Sequence, residues 1–173
     1  ARAGLLVPAG FDANMRICGI CDDSRQVRAG VIFVAVRGEK ADGHLYAAAA
    51  LEKGAVCVVA EYVPDGVDAS RVLRVVDSRV ALGRLAQAWH GNPSQAMRTV
   101  AVTGTNGKTT VAYLMEAVLR AAGLRPALLG TVEYRFGDVH EEAPTTTPGA
   151  LHLASFLARA HAAGCDALVM EVS

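Results

Sequence analysis

The stretch Val100-Ala101-Val102-Thr103-Gly104-Thr105-Asn106-Gly107-Lys108-Thr109-Thr110 constrains the fold more than any other part of the chain. An apolar run of β type, Thr99 to Thr103, feeds a short loop with two glycines, and a helical pattern begins directly after Lys108. Strand, glycine-rich turn, lysine, hydroxyl and helix, in that order, make a cradle for phosphate. The glycines let successive backbone N–H groups turn toward one anion, and the helix N-terminus adds a partial positive charge. On this reading Lys108 reaches the β- and γ-phosphates and the Thr109 hydroxyl sits on Mg²⁺. The usual spacing, G-x-x-x-x-G-K-[ST], asks for glycine at position 102, where the chain has Val102. The loop is therefore a compact variant, and spacing alone leaves open a tight βα turn with a merely solvated lysine.

Any phosphate binding has to come from such local geometry, because Lys+Arg and Asp+Glu both count 17. With no net field, neither nucleic acid nor an anionic membrane is an expected partner. Length, 173 residues, allows one ordinary domain or two small ones, and 52% hydrophobic residues supply a core. No apolar run approaches the roughly 20 residues of a transmembrane helix, so membrane insertion is not expected. The start, Ala1 to Pro8, is too short for a signal peptide and lacks an initiator Met, which suggests a fragment. Three of the four cysteines, Cys18, Cys21, Cys57 and Cys165, lie in strand-like apolar runs. Cys18-Gly19-Ile20-Cys21 is formally C-x-x-C, but no second pair or nearby His completes a zinc site. Buried thiols in a reducing, cytoplasmic setting are the expectation.

Along the chain, Met15 to Ile20 and Val31 to Val36 read as short strands, joined by the polar segment 22–30, either a functional loop or an ordinary hairpin connection. A helix is expected from His44 to Lys53, capped by Gly54, then strands at Ala55–Ala60 and Val72–Val76. Ser78 reads as the N-cap of a helix to His90, with Val80, Leu82, Leu85, Ala86 and Trp89 as its buried side. Gly91-Asn92-Pro93-Ser94 breaks the pattern, so a boundary is expected there, giving residues 1–94 and 95–173. After the loop, a helix from Thr109 to Ala122 would bury Leu114, Ala117, Val118 and Ala121. A strand at Pro126–Thr131 and a hairpin extension turning at Gly137-Asp138 follow. Thr147 would cap a helix running from Pro148 to Ala163, and a buried strand would span Asp166–Val172. Such alternation predicts an α/β fold, a parallel sheet with helices outside it.

Thr103 to Thr110 resembles the ATP loop of the Mur ligases, whose loop is compact and lacks the earlier glycine. Asp23-Ser24-Arg25, Gly30-Val31-Ile32-Phe33-Val34-Ala35 and Ala41-Asp42-Gly43-His44 look like that family's N-terminal domain. Thr146-Thr147-Pro148 and Glu171-Val172-Ser173 fall where its central domain has acceptor and metal motifs. Nearly the whole chain matches, in order. The resemblance implies a small N-terminal α/β uridine-nucleotide domain, then a truncated P-loop-type parallel α/β ATP-binding domain. Gly-Thr-Asn-Gly-Lys-Thr-Thr with a later Thr-Thr-Pro is most similar to the branch that adds the third residue of the peptidoglycan stem peptide. That branch joins a diamino acid, diaminopimelate or lysine, to UDP-N-acetylmuramoyl-L-alanyl-D-glutamate through an acyl phosphate.

Carried over residue by residue, the resemblance implies that Asp22, Ser24 and the loop Glu39-Lys40-Ala41 contact the uridine diphosphate. Gly104, Thr105, Asn106, Gly107, Lys108, Thr109 and Thr110 would hold ATP. Thr145, Thr146, Thr147 and Ser173 would contact the muramoyl-peptide, and Thr109 and Glu171 would hold Mg²⁺. Lys108 and Glu171 become the candidate catalytic residues. The family's carbamylated lysine, central-domain His and C-terminal domain would lie beyond Ser173, so these residues alone are expected not to complete ligation. A cytoplasmic monomer is expected. Glu171 ends an apolar strand, where an unpaired carboxylate is costly to bury; metal contact or an exposed strand end would each resolve that. The threonine run is otherwise a helix cap. His44, His90, His140, His152 and His161 show no metal-ligand spacing and read as structural or surface residues, and Arg25 either pairs with Asp22 or Asp23 or meets a ligand. Competing readings are another Mur-type ligase, such as the dipeptide-adding one, and a nucleotide-binding module without ligase chemistry.

Overall fold

The structure, a computed structural model, describes residues 15–38 and 41–173, so Glu39 and Lys40 lie outside the described residues. The chain divides into two compact units, the first ending at Trp89 and the second running from His90 to Ser173.

In the first unit β1 (Gly19–Cys21), β2 (Val31–Val34), β3 (Cys57–Ala60) and β4 (Val72–Arg74) form a sheet in the order β1-β2-β3-β4. Every pairing is parallel, with Gly19 opposite Val31, Ile32 opposite Cys57 and Val58 opposite Val72. Parallel pairing of β1 with β2 excludes a hairpin, and the segment 22–30 is a crossover. β1 and β3 also start later than their apolar runs suggest: residues 15–18 are irregular, and Cys18 is exposed, not buried. β2 and β3 are buried along their whole length, as strands of a parallel sheet covered on both faces should be. A 3-10 turn, Gly43–Tyr46, leads into α1 (Ala47–Glu52), which packs Ala47 and Ala50 on the core.

The helix α2 (Ser78–Trp89) is capped by Asp77, whose Oδ1 accepts from Val80 N at 2.9 Å, and not by Ser78. Ser78 instead donates its N–H and its hydroxyl to Glu61 Oε1, at 3.2 and 3.0 Å. That anchor sets the phase of the helix. Ala81, Leu82 and Ala86 are buried, whereas Val80 and Trp89 are exposed.

The second unit comprises β5 (Arg98–Thr103), α3 (Lys108–Ala121), β6 (Pro126–Leu129), β7 (Glu133–Phe136), β8 (Val139–Glu142), α4 (Ala150–Ala162) and β9 (Ala167–Val172). The sheet order is β5-β9-β6-β7-β8. β5, β9 and β6 run parallel, and the last strand in the chain sits between the first two. β7 and β8 add an antiparallel hairpin that turns at Gly137 and Asp138, with Gly137 at φ 53°.

Two expectations are overturned here. The face of α3 carrying Leu114, Ala117, Val118 and Ala121 is exposed. The helix packs Ala112, Met115 and Leu119 on Leu128 and Val169, and buries Glu116 on that same side. Arg120 and Arg135 are what allow it: Arg120 Nη2 donates to Glu116 Oε1 at 3.0 Å and Arg135 Nη2 donates to Oε2. Thr147, for its part, does not cap α4. Gly149 holds that position, because the Thr147 hydroxyl is engaged elsewhere. No helix among the described residues is long and apolar enough to cross a membrane.

Candidate functional site

In parallel α/β sheets ligands gather at the carboxyl ends of the strands. β5 ends at Thr103, and the loop to α3 uses Gly104 at φ 149° and Gly107 at φ 78°, conformations that side chains with a Cβ rarely adopt. Lys108 starts α3 and folds its Nζ back onto Gly104 O at 2.8 Å, so the loop is closed by its own lysine. Thr109, one residue on, points its hydroxyl at β9.

There it meets Glu171, which lies opposite Val102 in the strand register and is 1% exposed. Its Oε2 accepts from Thr109 Oγ1 and from Thr131 Oγ1, both at 3.1 Å, and its Oε1 accepts from Thr131 N at 3.0 Å. None of the ion pairs among the described residues includes Glu171. A buried carboxylate served only by neutral donors is electrostatically incomplete, and a cation would complete it. Hydroxyl and carboxylate oxygens suit Mg²⁺, which commonly takes one or two protein ligands and fills its remaining positions with phosphate and water. No group of three His, Cys, Asp or Glu among the described residues is arranged to hold a metal ion.

The threonine run lies against the same strand end. Thr147 Oγ1 donates to Glu171 O at 3.2 Å, and Ser173 N donates to Thr147 Oγ1 at 3.0 Å. Thr146 Oγ1 is 3.1 Å from Thr131 Oγ1, while Tyr134 OH donates to Thr145 O. Lys108, Thr109, Thr145, Thr146, Thr147, Glu171 and Ser173 therefore gather at one end of the sheet. Sequence reasoning missed Thr131 and Tyr134. The signal for Thr131 was its place just past the carboxyl end of a buried strand.

The first unit holds a cavity of about 510 Å³ at the carboxyl ends of β1 and β2. Asp22, Ser24 and Ala41 line it together with Gly43, Tyr46 and Arg79. A Cβ on Gly43 would lie 2.7 Å from Val36 N and O, so only glycine lets the two segments meet there. Behind the wall, Asp42 Oδ1 accepts from His44 N at 3.0 Å and binds His44 Nδ1 at 2.6 Å, while Glu61 N donates to Nε2 at 3.1 Å. Those partners place the proton of a neutral ring on Nδ1, so His44 is structural. Arg25 is held by Asp23, with Nη2 2.8 Å from Oδ2, and this pairing draws the Asp23 carboxyl down to about 2. All four thiols are free; burial pushes Cys57 up to about 11, and the Cys21 thiol donates to Asp23 O at 3.0 Å. Arg79 was missed in the sequence.

Comparison with known proteins bears on both units. The family model described as Mur ligase family, catalytic domain, matches residues 16–90, and Mur ligase middle domain matches residues 102–173. The chain is similar to UDP-N-acetylmuramoyl-L-alanyl-D-glutamate–2,6-diaminopimelate ligase of Geobacter metallireducens, at 46% identity over 95% of this chain and 32% of that one. A solved structure of a ligase of the same name aligns with TM-score 0.68 at 30% identity, over 91% of this chain and 32% of the other. The MurF ligase from Thermotoga maritima in complex with ADP aligns with TM-score 0.56 at 27% identity, over 93% and 33%. The chain thus spans about a third of the length of the relatives it matches.

Proposed function

The chain belongs to the Mur ligase family, and on that premise we propose that it carries the acceptor-binding domain and the first part of the ATP-binding domain of a ligase joining 2,6-diaminopimelate to UDP-N-acetylmuramoyl-L-alanyl-D-glutamate. One observation carries the reading. The buried Glu171 carboxylate, in no ion pair among the described residues, accepts from the Thr109 hydroxyl just after the glycine loop, with Thr147 and Ser173 against its own backbone. A loop that merely turned a strand into a helix would have no use for that arrangement.

In this proposal Gly104 to Thr110 hold ATP, and Lys108 leaves Gly104 O to meet the transferring phosphoryl group. Thr109 and Glu171 hold Mg²⁺, which when bound supplies further positive charge to the phosphate oxygens. Thr145, Thr146, Thr147 and Ser173 align the peptide end of the acceptor. Its free carboxylate attacks the γ-phosphorus, the bond to the β–γ bridging oxygen breaks, and ADP leaves. The diamino acid's amine then attacks the acyl phosphate, losing a proton as the amide forms and phosphate departs. Alignment of the carboxylate is the main contribution of the threonine segment.

The uridine diphosphate is assigned to the cavity of the first unit, with Asp22, Ser24 and Ala41 on its wall and Glu39 and Lys40 in the adjoining segment. Arg79 is the cation for the diphosphate. We place the enzyme in the cytoplasm, as a monomer, where its four free thiols stay reduced. The dipeptide-adding ligases are the second reading, and their solved structures align less well, at TM-scores of 0.53 to 0.56 against 0.68.

Calorimetric titration with UDP-N-acetylmuramoyl-L-alanyl-D-glutamate tests the assignment. The chain should bind it in preference to the tripeptide-bearing acceptor, and Ser24→Ala should weaken binding. Preference for the longer acceptor would favour the dipeptide-adding reading, and ligation by these residues alone would contradict the division of labour proposed.

A further inference from the structure

We propose that Thr131 is a positioning residue that ties the cation-facing carboxylate of Glu171 to the acceptor-facing hydroxyl of Thr146; this rests on the reading of the nucleotide site given above. Proton accounting fixes the direction of every bond. A carboxylate only accepts, so Thr131 gives its one hydroxyl proton to Glu171 Oε2, 3.1 Å away. The proton between Thr131 and Thr146, whose hydroxyl oxygens are 3.1 Å apart, must then come from Thr146. Thr109 likewise gives its proton to Oε2, so its oxygen keeps its lone pairs to offer a cation. Thr131 N donates to Oε1. One residue therefore makes two of the three donor contacts to the carboxylate and holds both of its oxygens.

The backbone was shaped around this contact. A Cβ on Gly130, just past the end of β6, would lie 2.6 Å from Glu171 Oε1, so any side chain there would push on the carboxylate. Losing the Thr131 hydroxyl would free Glu171 to rotate away from Thr109 and would strand the Thr146 proton. The metal side and the acceptor side of the site would lose their shared hydrogen bond.

The test uses Mn²⁺ as a paramagnetic probe, measured by electron paramagnetic resonance in the presence of ADP. Thr131→Val should weaken Mn²⁺ binding about tenfold, the effect of one lost hydrogen bond to a charged group. Thr131→Ser should restore it to within about threefold, because the hydroxyl returns. ADP affinity measured without metal should stay within about twofold in both, which shows that the loop is folded. Gly130→Ala, which displaces the carboxylate while keeping Thr131, should also weaken Mn²⁺ binding. If the unsubstituted chain forms no Mn²⁺–ADP complex, the nucleotide-site reading falls and this inference with it. If it forms one and Thr131→Val binds Mn²⁺ equally well, the site reading stands and the role given to Thr131 is wrong.

Discussion

Arg79 stands in the first turn of α2, the end of a helix where positive side chains are disfavoured by the unpaired N–H groups. Its Nη2 donates to Arg37 O at 2.7 Å, which pins the guanidinium to the cavity wall. A diphosphate in that cavity would reverse the local electrostatics and give the residue its reason to be there. Arg79→Gln should lower affinity for UDP by roughly fivefold to tenfold, in line with one charge-assisted contact to phosphate. Uridine, lacking the diphosphate, should bind both forms alike. Equal losses for UDP and uridine would mean that Arg79 shapes the cavity without contacting phosphate. As helix sequence, the position is unremarkable. Only the fold brings this helix start beside Asp22 and Ser24, which follow β1 far away in the chain.

At the scale of elements, what the sequence made legible was whatever local chemistry decides. The buried runs became strands, Gly137-Asp138 became a hairpin turn, and the glycine loop after Thr103 joined β5 to α3, with Gly104 and Gly107 at positive φ. Partners distant in the chain decided the rest. Thr147 has the composition of a helix cap, yet the end of β9 takes its hydroxyl. α3 has an apolar stripe at Leu114 and Val118, yet it turns Glu116 inward, because Arg135 on β7 waits there. Removing that arginine should cost about 2 kcal/mol of unfolding free energy, since breaking one side of a buried pair leaves a carboxylate that Arg120 only partly offsets. The pair Glu116→Leu with Arg135→Met should cost less than Arg135→Ala alone, which chemical denaturation would read directly. The same cluster carries a pH dependence. Glu133 accepts from Tyr113 OH and Arg135 Nη1, both at 2.9 Å, and bonds His140 Nδ1 at 2.9 Å. The His140 contact first, then Tyr113 and Arg135, hold its carboxyl below the usual range against the opposing effect of burial. The folded value lies below the unfolded one, about 4.5, so the stabilisation is present above that pH and disappears as pH falls through the folded value. Glu133→Gln should flatten that part of the stability profile.

At the scale of the whole molecule, each unit has a hydrophobic core of its own. In the first, Val31, Phe33, Val58 and Val72 pack with Ala47 and Ala50; in the second, Tyr134, Phe136, Phe156 and Leu168 form one cluster. Units of this size bury only about 60% of the surface that the unfolded chain exposes, so each is marginal, yet many domains this small fold unaided. The two proposed ligand sites also divide cleanly, with the uridine diphosphate cavity built only from residues before Trp89 and the nucleotide site only from residues after His90. A chain cut after Trp89 should therefore fold and bind UDP within about threefold of the intact chain's affinity, because no residue assigned to that ligand is lost. In calorimetry of the intact chain, UDP should raise the melting temperature of one transition and Mg²⁺–ADP that of another, since each ligand stabilises only the unit that binds it. A single transition raised by either ligand would show that the units unfold together, and an unfolded first fragment would show that its core depends on the second.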